Sequence, residues 1–357
     1  MKNHKIYHPF LYLTLGIILL FLTACDSTNS TDPNQHANYK IIFSSARSLN
    51  SFDIYSMDID GSNITQITQN GRNDYGPRIS PNGMMIYYRS LWYDGSAFCN
   101  ININGTNETI IHEIGESELF SNHYYTVSDE ALVYAVRINS QTDLYSIQSD
   151  GSGNEQLTND TRSESMPQFS HDCTKIIYES FSDIYIMNSD GTMPTMLTDQ
   201  VYHQPSDGMF RFSFDDNEIL FAARTGSVQD IYRLNVDGSN LTNLTNNSGN
   251  DAWPVYSHDE SKIAFISTRD EEYDYGNGDI YIMSSDGSNQ TRLTFHKMVE
   301  KQEILFTPDD EKIIFVSQKD NDSSADQIYS INIDGSNEIA LTMSPGQNMS
   351  PQILVTD

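Results

Sequence analysis

Cysteine is scarce in this sequence, and its scarcity excludes two classes of small stabilised domain. The 357 residues contain only three cysteines, Cys25, Cys99 and Cys173. Three widely spaced thiols provide neither a disulfide framework nor the paired ligands of a zinc site. Cys99 lies in an apolar segment and is expected to be a buried thiol, whereas Cys173 lies in a turn. We therefore do not expect these two residues to pair.

Positively charged residues are also scarce. Lysine and arginine together number 20, against 49 aspartates and glutamates, which gives a formal net charge of −29. A surface this acidic repels polyanions, so we expect no nucleic-acid partner and no direct binding to anionic lipid head groups. The same charge keeps a protein soluble, which is the simplest explanation of it.

Familiar catalytic signatures are also missing from the sequence. The histidines of the central and C-terminal parts, such as His112, His171 and His258, are scattered and form no His-Glu-x-x-His zinc motif. No Gly-x-Ser-x-Gly segment marks a hydrolase nucleophile. We therefore expect no enzymatic activity.

An apolar run that is too short for a stable membrane-spanning helix lies near the N-terminus. It extends from Phe10 to Leu22 and follows two lysines, as in a secretory signal peptide. The run ends in the segment LTAC, whose last residue is Cys25, and this segment resembles a lipobox. That resemblance implies cleavage before Cys25 and attachment of lipid to its thiol. An ordinary signal peptide with an incidental cysteine is the alternative.

The chain is accordingly predicted to have three parts. We expect a lipoprotein signal peptide at residues 1–24, a flexible tether at 25–38 and a folded domain at 39–357. The tether is polar and lacks apolar periodicity, so it can hold a domain away from a membrane. These parts predict a protein of the bacterial cell envelope that is lipid-anchored to a membrane and faces the periplasm.

One segment recurs through the whole folded part of the chain. Its glycine falls at positions 61, 105, 151, 191, 238, 287 and 335. Spacings of roughly 40–50 residues are typical of the blades of a β-propeller. The copies are DIYSMDIDGSN (53–63), DLYSIQSDGSG (143–153), DIYIMNSDGTM (183–193), DIYRLNVDGSN (230–240), DIYIMSSDGSN (279–289), QIYSINIDGSN (327–337) and a degenerate AFCNININGTN (97–107).

Two further elements accompany most copies of this segment. A stretch such as PVYSHDESKIAF (254–265) precedes it, and a stretch such as LTNLT follows it. Each repeat is predicted to contain strand A (Pro-x-x-Ser), a tight turn, strand B, a loop, strand C (Asp-Ile-Tyr), an Asp-Gly turn and strand D ending in Leu-Thr. In strand C, Tyr55 and Met57 point one way and Ile54 the other. Both faces are therefore apolar, as in a blade between two neighbours.

The ends of the folded part indicate how the ring closes. It opens at Tyr39 with a strand B that has no strand A before it, and it finishes with a strand A, from Pro351 to Val355. We predict an all-β, seven-bladed β-propeller of four-stranded antiparallel blades, in which the C-terminal strand completes the first blade. Closure of this kind removes exposed sheet edges. A six-bladed ring is the alternative if residues 112–136 form no blade.

These motifs closely resemble the WD40-like (PD40) repeats of the TolB β-propeller family over nearly all of residues 39–357. The resemblance implies the fold and leaves the function open, because propellers carry many kinds of site. TolB itself has an α/β domain before its propeller, where this chain has only the tether. Prolyl oligopeptidase-type peptidases use similar repeats together with a hydrolase domain, whose Gly-x-Ser-x-Gly segment is missing here. Some pectin-fragment lyases hold manganese with His and Gln in a seven-bladed propeller. This sequence has one His-Gln pair, His203-Gln204, and no second motif that supports such a site.

The candidate binding residues lie in the predicted connections between strands. In propellers the A–B and C–D turns lie on one rim and the B–C and D–A loops on the other. The second rim differs from blade to blade here, which favours specific binding. Its loops mix aromatic and polar groups, which suit a protein partner or a sugar ring. The candidates are Arg72, Tyr75, Trp92, Tyr93, Tyr202, His203, Trp253, Arg269, Tyr273, Tyr275, His296 and Lys297.

Two acidic segments are candidates for a cation. Residues 58–63 resemble the start of a calcium loop but lack its later glutamate, and turn geometry alone explains why they recur. The other is the acidic loop of Asp270, Glu271, Glu272 and Asp274, for which a solvated loop is the alternative. We expect no cofactor, and Ca²⁺ is the one ion that these segments suggest.

The leading functional hypothesis is a monomeric, non-enzymatic scaffold that presents its loop-rich rim to an envelope protein or peptide. The membrane is contacted only through the lipid on Cys25. The alternative is an envelope carbohydrate-active protein, either a glycan binder or a metal-dependent lyase, that uses the same rim.

Overall fold

The structure is a computed structural model. It describes residues 38–48, 51–114, 125–138, 140–198, 210–270, 278–295, 303–318, 325–343 and 346–356. The predicted signal peptide and all but the last residue of the predicted tether lie outside these ranges. In the part of the chain that is described, no helix is long and apolar enough to cross a membrane.

The described residues form seven four-stranded antiparallel sheets, each of which is one blade. In the order A to D, the first blade contains β28 (Asn348–Thr356), β1 (Asn38–Ser48), β2 (Ser51–Asp58) and β3 (Thr65–Gln66). The second contains β4 (Asn73–Ile79), β5 (Met85–Trp92), β6 (Gly95–Asn102) and β7 (Thr109–Ile114), and the third contains β8 (Tyr125–Val127), β9 (Ala131–Ile138), β10 (Gln141–Gln148) and β11 (Glu155–Gln156).

The remaining four blades repeat this pattern. The fourth contains β12 (Glu164–Phe169), β13 (Lys175–Ser180), β14 (Asp183–Asn188) and β15 (Thr195–Met196), and the fifth contains β16 (Phe210–Phe212), β17 (Glu218–Thr225), β18 (Val228–Asn235) and β19 (Thr242–Asn243). The sixth contains β20 (Asp251–Tyr256), β21 (Lys262–Ser267), β22 (Asp279–Ser284) and β23 (Thr291–Arg292), and the seventh contains β24 (Ile304–Phe306), β25 (Lys312–Ser317), β26 (Gln327–Asn332) and β27 (Ile339–Ala340).

The ring is closed by the two ends of the chain, as predicted. Strand β28 pairs antiparallel with β1, and Ile353 lies opposite Ile41. The degenerate copy of the repeat forms a complete second blade. The seven-bladed prediction is therefore confirmed, and the six-bladed alternative is wrong.

The core is divided among the seven junctions between neighbouring blades. Each junction holds one cluster of buried apolar side chains. In β2, Ile54 packs towards the second blade with Ile86, whereas Tyr55 and Met57 pack towards the seventh blade with Ile314. The two faces of a strand therefore stabilise two different junctions, which is why strand C needs apolar residues on both.

The Asp-Ile-Tyr and Leu-Thr motifs are joined by a hydrogen bond within the blade. The backbone N–H of Ile54 donates to the hydroxyl of Thr68 at 2.9 Å. The same bond recurs in five other blades. In the sixth blade the threonine hydroxyl, that of Thr294, also donates to Asp279 at 2.9 Å. This threonine fastens the short strand D to strand C at the outer edge of the sheet.

The Asp-Gly turns are stabilised by their own side chains. A carboxylate oxygen of Asp60 accepts hydrogen bonds from the backbone N–H and the hydroxyl of Ser62, at 2.9 and 2.6 Å. Gly61 has φ +85°, and a Cβ there would lie 2.7 Å from the carbonyl oxygen of Leu341 in the seventh blade. Glycine is needed both for the turn and for the close approach of the next blade. These bonds lower the pKa of the Asp60 carboxyl, and they explain the recurrence of the motif without a metal.

Cys99 is a buried free thiol, as predicted. It occupies the position at which the six other blades carry the tyrosine of the C-strand motif. In those blades the tyrosine contacts an aromatic ring of strand B, as Tyr281 does with Phe265. Burial raises the pKa of the Cys99 thiol to about 12, so the group is neutral and unreactive at ordinary pH.

Candidate functional site

The ring has two chemically different ends. The turn rim carries the A–B turns, such as residues 80–85, and the C–D turns, such as residues 59–64. The loop rim carries the B–C connections, such as residues 93–94, and the D–A connections, such as residues 67–72. The seven A strands lie innermost, around the central channel of the propeller.

Carboxylates on the turn rim clamp neighbouring blades together. Asp216 accepts hydrogen bonds from the backbone N–H groups of His171 and Asp172, at 2.8 and 2.9 Å. Asp310 does the same for His258 and the residue that follows it, across the junction of the sixth and seventh blades. The two imidazole rings flank Phe214, each with 4.9 Å between ring centroids. The aromatic and acidic groups at these turns therefore stabilise the ring.

On the loop rim, the second blade brings together several predicted binding residues. The guanidinium of Arg72 lies over the ring of Trp92, 4.7 Å from its centroid. Trp92 ends β5 and packs against the apolar cluster between the first two blades. Tyr93 stands at the tip of the hairpin and is fully exposed, with a relative accessibility of 105%. Tyr75 was predicted in a D–A loop but lies within β4, where it contacts Phe52 with 4.6 Å between ring centroids.

Arg269 is occupied by contacts inside the sixth blade. Its guanidinium lies over the rings of Phe265 and Tyr281, 5.2 and 4.8 Å from their centroids. One of its nitrogens donates to the carboxylate of Asp251 at 3.0 Å, and Asp251 is 0% exposed. Asp270 accepts a hydrogen bond from the hydroxyl of Tyr281. Arg269 and Asp270 are therefore both paired with groups of their own blade.

Trp253 does not lie in a D–A loop, where the sequence placed it. It lies within β20, at a bulge where the pairing with β21 shifts register, and its φ is +55°. Its ring is half-buried against the apolar cluster between the sixth and seventh blades. Met166 and Ser350 have the same positive φ at the corresponding bulges. The bulge turns the side chain of Trp253 towards the core.

The other predicted site residues lie outside the described part of the chain. They are Cys25, Tyr202, His203, Tyr273, Tyr275, His296 and Lys297, together with the acidic residues Glu271, Glu272 and Asp274. Among the residues that the structure does describe, no group of three His, Cys, Asp or Glu side chains is placed to hold a metal ion.

Among the described residues, four large apolar side chains are strongly exposed on the loop rim, and only Tyr93 was a candidate from the sequence. Besides Tyr93, these are Phe181 (63% exposed), Phe295 (71%) and Met343 (86%). Phe181 occupies the two-residue turn between β13 and β14 and has φ +60°. The shortness of that connection, Phe-Ser between two strands, was the sequence signal that could have identified it.

Seven side chains, one from each strand A, form a layer at one level of the ring. Two of them, Val255 and Leu305, pack against the apolar clusters of adjoining junctions. All seven are half-buried, and their B-strand partners are equivalent from blade to blade. The layer consists of Arg78, Thr126, Gln168, Arg211, Val255, Leu305 and Gln352.

The charges of this layer influence one another. Burial and the positive charge of Arg78 together lower the pKa of Arg211 to about 10, against the opposing effect of Glu303. Burial raises the pKa of Glu303, which stands two residues before Leu305, against the opposing effect of both arginines. Arg78, Arg211 and Glu303 come from three distant repeats, so no local sequence pattern indicates that they interact.

Buried acids mark the start of strand A in alternate blades. Burial raises the pKa of Asp74 to about 6 and that of Glu164 to about 7. Asp74 accepts a hydrogen bond from the hydroxyl of Ser90 at 2.6 Å, and Glu164 accepts one from that of Ser180 at 3.0 Å. Both carboxyls bridge their own blade to the preceding one, through threonines at the end of its strand D.

Comparison with known proteins agrees with this architecture. The Tricorn protease N-terminal β-propeller domain family matches residues 227–352. TolB from Acinetobacter baumannii is similar with a TM-score of 0.56 and 13% identity over 88% of this chain, which spans 66% of that protein. An oligogalacturonate lyase in complex with manganese gives 0.62 and 16%, covering 78% of this chain and 82% of the lyase.

A third similar structure is the β-propeller domain of the Trilobed protease from Pyrococcus furiosus, which has an open velcro topology. Its TM-score is 0.59 at 13% identity, covering 86% of this chain and 93% of that domain. In fold, the present chain is similar to the β-propellers of these proteins.

Proposed function

We propose that this protein is a non-catalytic scaffold of the bacterial cell envelope that binds a partner protein or peptide on its loop rim. The lipid on Cys25 would hold it at a membrane, with the tether leaving the ring free to meet its partner. The observation that supports this proposal best is the exposure of Tyr93, Phe181, Phe295 and Met343 on one rim.

Exposed rings and a methionine on a rigid frame suit a protein surface. An exposed apolar patch can serve as an interaction site, and aromatic residues dominate binding energy at such sites. Methionine adapts to partners of different shape. The neighbouring arginine and tryptophan, Arg72 and Trp92, are held against each other and provide a preformed support beside Tyr93.

The carbohydrate-active alternative is favoured by one comparison, the similarity to a manganese-bound oligogalacturonate lyase. At 16% identity this similarity concerns the fold. The described residues offer no group of three metal donors, and His203 and Gln204 lie outside them. The protein-binding function therefore has the stronger physical support.

The first prediction concerns the exposed side chains of the loop rim. Crosslinking of intact envelopes followed by mass spectrometry should identify one defined protein, and purified propeller should bind it. Changing Phe181, Phe295 and Tyr93 together to serine should weaken that complex by at least about 100-fold, because truncated hot-spot residues each cost about 1–2 kcal/mol. Isothermal calorimetry measures the change.

The matched control lies on the turn rim. Met84 and Met193 are 66% and 76% exposed there, and a double change to serine should leave affinity unaltered. Equal loss in both variants would contradict a site on the loop rim. Binding of oligogalacturonate without any protein partner, lost on chelation, would instead support the carbohydrate-active alternative.

The second prediction concerns the anchor. Cys25→Ala should release the protein from membrane pellets into the soluble fraction and should abolish incorporation of labelled fatty acid, because the thiol is the attachment point. Cys99→Ala is the control that removes a free thiol elsewhere in the chain. If the Cys25→Ala protein still sediments with membranes, the proposed lipid anchor is wrong.

A further inference from the structure

The chain enters the propeller at the turn rim. Strand β1, the strand B of the first blade, begins there at Asn38 and runs towards the B–C connection on the loop rim. Lys40 forms an ion pair with Asp58, the last residue before the C–D turn of the same blade, with 2.7 Å between nitrogen and oxygen. Burial raises the pKa of Tyr39, and so do the carboxylates of residues 309–311 in the A–B turn of the seventh blade. Both contacts place the junction between the predicted tether and the ring on the turn rim.

The predicted tether is short compared with the height of the ring. A flexible chain as long as the segment from Cys25 to Asn38 has a root-mean-square span of about 20 Å and a limit of about 45 Å. Strand β1 has 11 residues, and its ends on the two rims are about 30 Å apart. To bring the loop rim to the membrane, the tether would have to cross strands C and D and then follow the outer wall of the ring. That path of about 40 Å would leave the tether almost fully extended, which few of its conformations allow.

The turn rim is also unsuited to direct contact with lipid. Six of its C–D turns carry an exposed aspartate whose pKa is lowered by hydrogen bonds from the serine or threonine two residues later, so these carboxylates remain ionised. They are Asp60, Asp150, Asp190, Asp237, Asp286 and Asp334. Anionic head groups repel such a rim, and this repulsion extends over about 8 Å at physiological ionic strength. The rim is therefore expected to be held near the membrane by the tether and kept from lying flat on it by its charge.

We propose that the anchored propeller turns its turn rim towards the membrane and its loop rim towards the aqueous compartment. This deepens the proposed function, on which it rests, because it names the side from which the partner arrives. Tyr93, Phe181, Phe295 and Met343 then lie on the rim farthest from lipid. Their partner is a protein that approaches from the aqueous compartment. The anchoring bilayer itself, into which exposed aromatic side chains can insert, is the alternative occupant that the experiment distinguishes.

The test uses the full-length lipidated protein in vesicles of phosphatidylethanolamine and phosphatidylglycerol that contain an acceptor dye on a lipid head group. Phe181 and Met193 lie at opposite ends of β14, on the loop rim and the turn rim, and are 63% and 76% exposed. A donor dye is coupled to azidophenylalanine introduced at one of these two positions. Energy transfer to the lipid should be several-fold stronger from position 193 than from position 181, because transfer decreases steeply with distance.

A longer tether is the matched control. A glycine–serine segment inserted before Asn38, long enough to double the tether, should remove most of the difference between the two positions, because the ring can then turn over. A difference that persists unchanged would mean that tether length does not set the orientation.

The remaining outcomes separate this orientation from the proposed function. Equal transfer from both positions, or stronger transfer from position 181, would overturn the orientation and leave the anchor in place. A shift of an environment-sensitive dye at position 181 to shorter wavelengths on vesicles would show insertion into lipid and would overturn the orientation and the protein partner together. No transfer from either position, as expected for Cys25→Ala, would overturn the anchor itself. The affinity of the loop-rim variants for the partner is measured without membranes, so it does not depend on this result.

Discussion

Deletion of residues 348–357 should abolish cooperative folding of the propeller. The deletion removes β28, the innermost strand of the first blade, and leaves the backbone of β1 without its partner at Ile41 and its neighbours. It also removes Ile353 and Leu354, which contribute to the two junctions on either side of that blade. We expect a loss comparable to the whole free energy of unfolding of a typical domain, about 5–15 kcal/mol.

Two point variants on the same strand separate this effect from general damage. Leu354 is 4% exposed and packs against the second blade, whereas Val355 is 55% exposed. Leu354→Ala should lower the free energy of unfolding by about 2–4 kcal/mol, and Val355→Ala should change it by less than about 0.5 kcal/mol. Urea denaturation followed by circular dichroism measures both. Equal effects at the two positions, or a truncated chain that melts like the full one, would contradict closure by β28.

The closure was predictable because it depends on strand order, which repeats make visible. A strand B without a strand A at one end and the reverse at the other leave one pairing that completes every blade. The two-faced burial of Ile54 and Tyr55 followed from residue types alone, since a strand between two blades has no wet face. The spacing and order of the motifs were therefore enough to predict the closed ring of blades.

The positions and contacts of individual site residues were harder to predict from the sequence. Arg269 was a candidate for binding because it lies in a predicted B–C loop that mixes aromatic and polar groups. Its guanidinium instead meets Asp251, which is 18 residues earlier on an adjacent strand, so its role depends on a tertiary contact. Trp253 was assigned to a loop because a bulge, invisible in the alternation pattern, extends β20 through it. Phe181 was overlooked because strand length, which sets the turn, is hard to judge within one or two residues.

The buried acids should make this protein more stable at mildly acidic pH than at pH 8. In the folded protein the pKa of Glu164 is raised to about 7 and that of Asp74 to about 6. In the unfolded chain, carboxyl groups have pKa values of about 4. Between about pH 4 and pH 7 the folded chain therefore holds more protons than the unfolded chain. The contribution of these two groups to the free energy of unfolding falls as pH rises through that window and is level above it.

Substitution by the neutral amides tests this directly. At pH 8, Glu164→Gln should raise the free energy of unfolding by about 1–3 kcal/mol, and Asp74→Asn should raise it by a smaller amount, because each removes a buried charge that has no cation beside it. At pH 5 the same variants should differ little from the parent, so their stability profiles should be flatter between these values. Thermal and urea denaturation at both pH values provide the measurement.

Asp251→Asn is the matched control, and its effect should have the opposite sign. Burial raises the pKa of the Asp251 carboxyl as it does for the other two, but the guanidinium of Arg269, 3.0 Å away, opposes that effect. The amide leaves that charge without its partner, which typically costs about 3–5 kcal/mol for a buried pair. Stabilisation by all three substitutions would mean that the ion pair contributes nothing. Destabilisation by all three would mean that the hydrogen bonds of Asp74 and Glu164 to serine and threonine outweigh the burial of their charge.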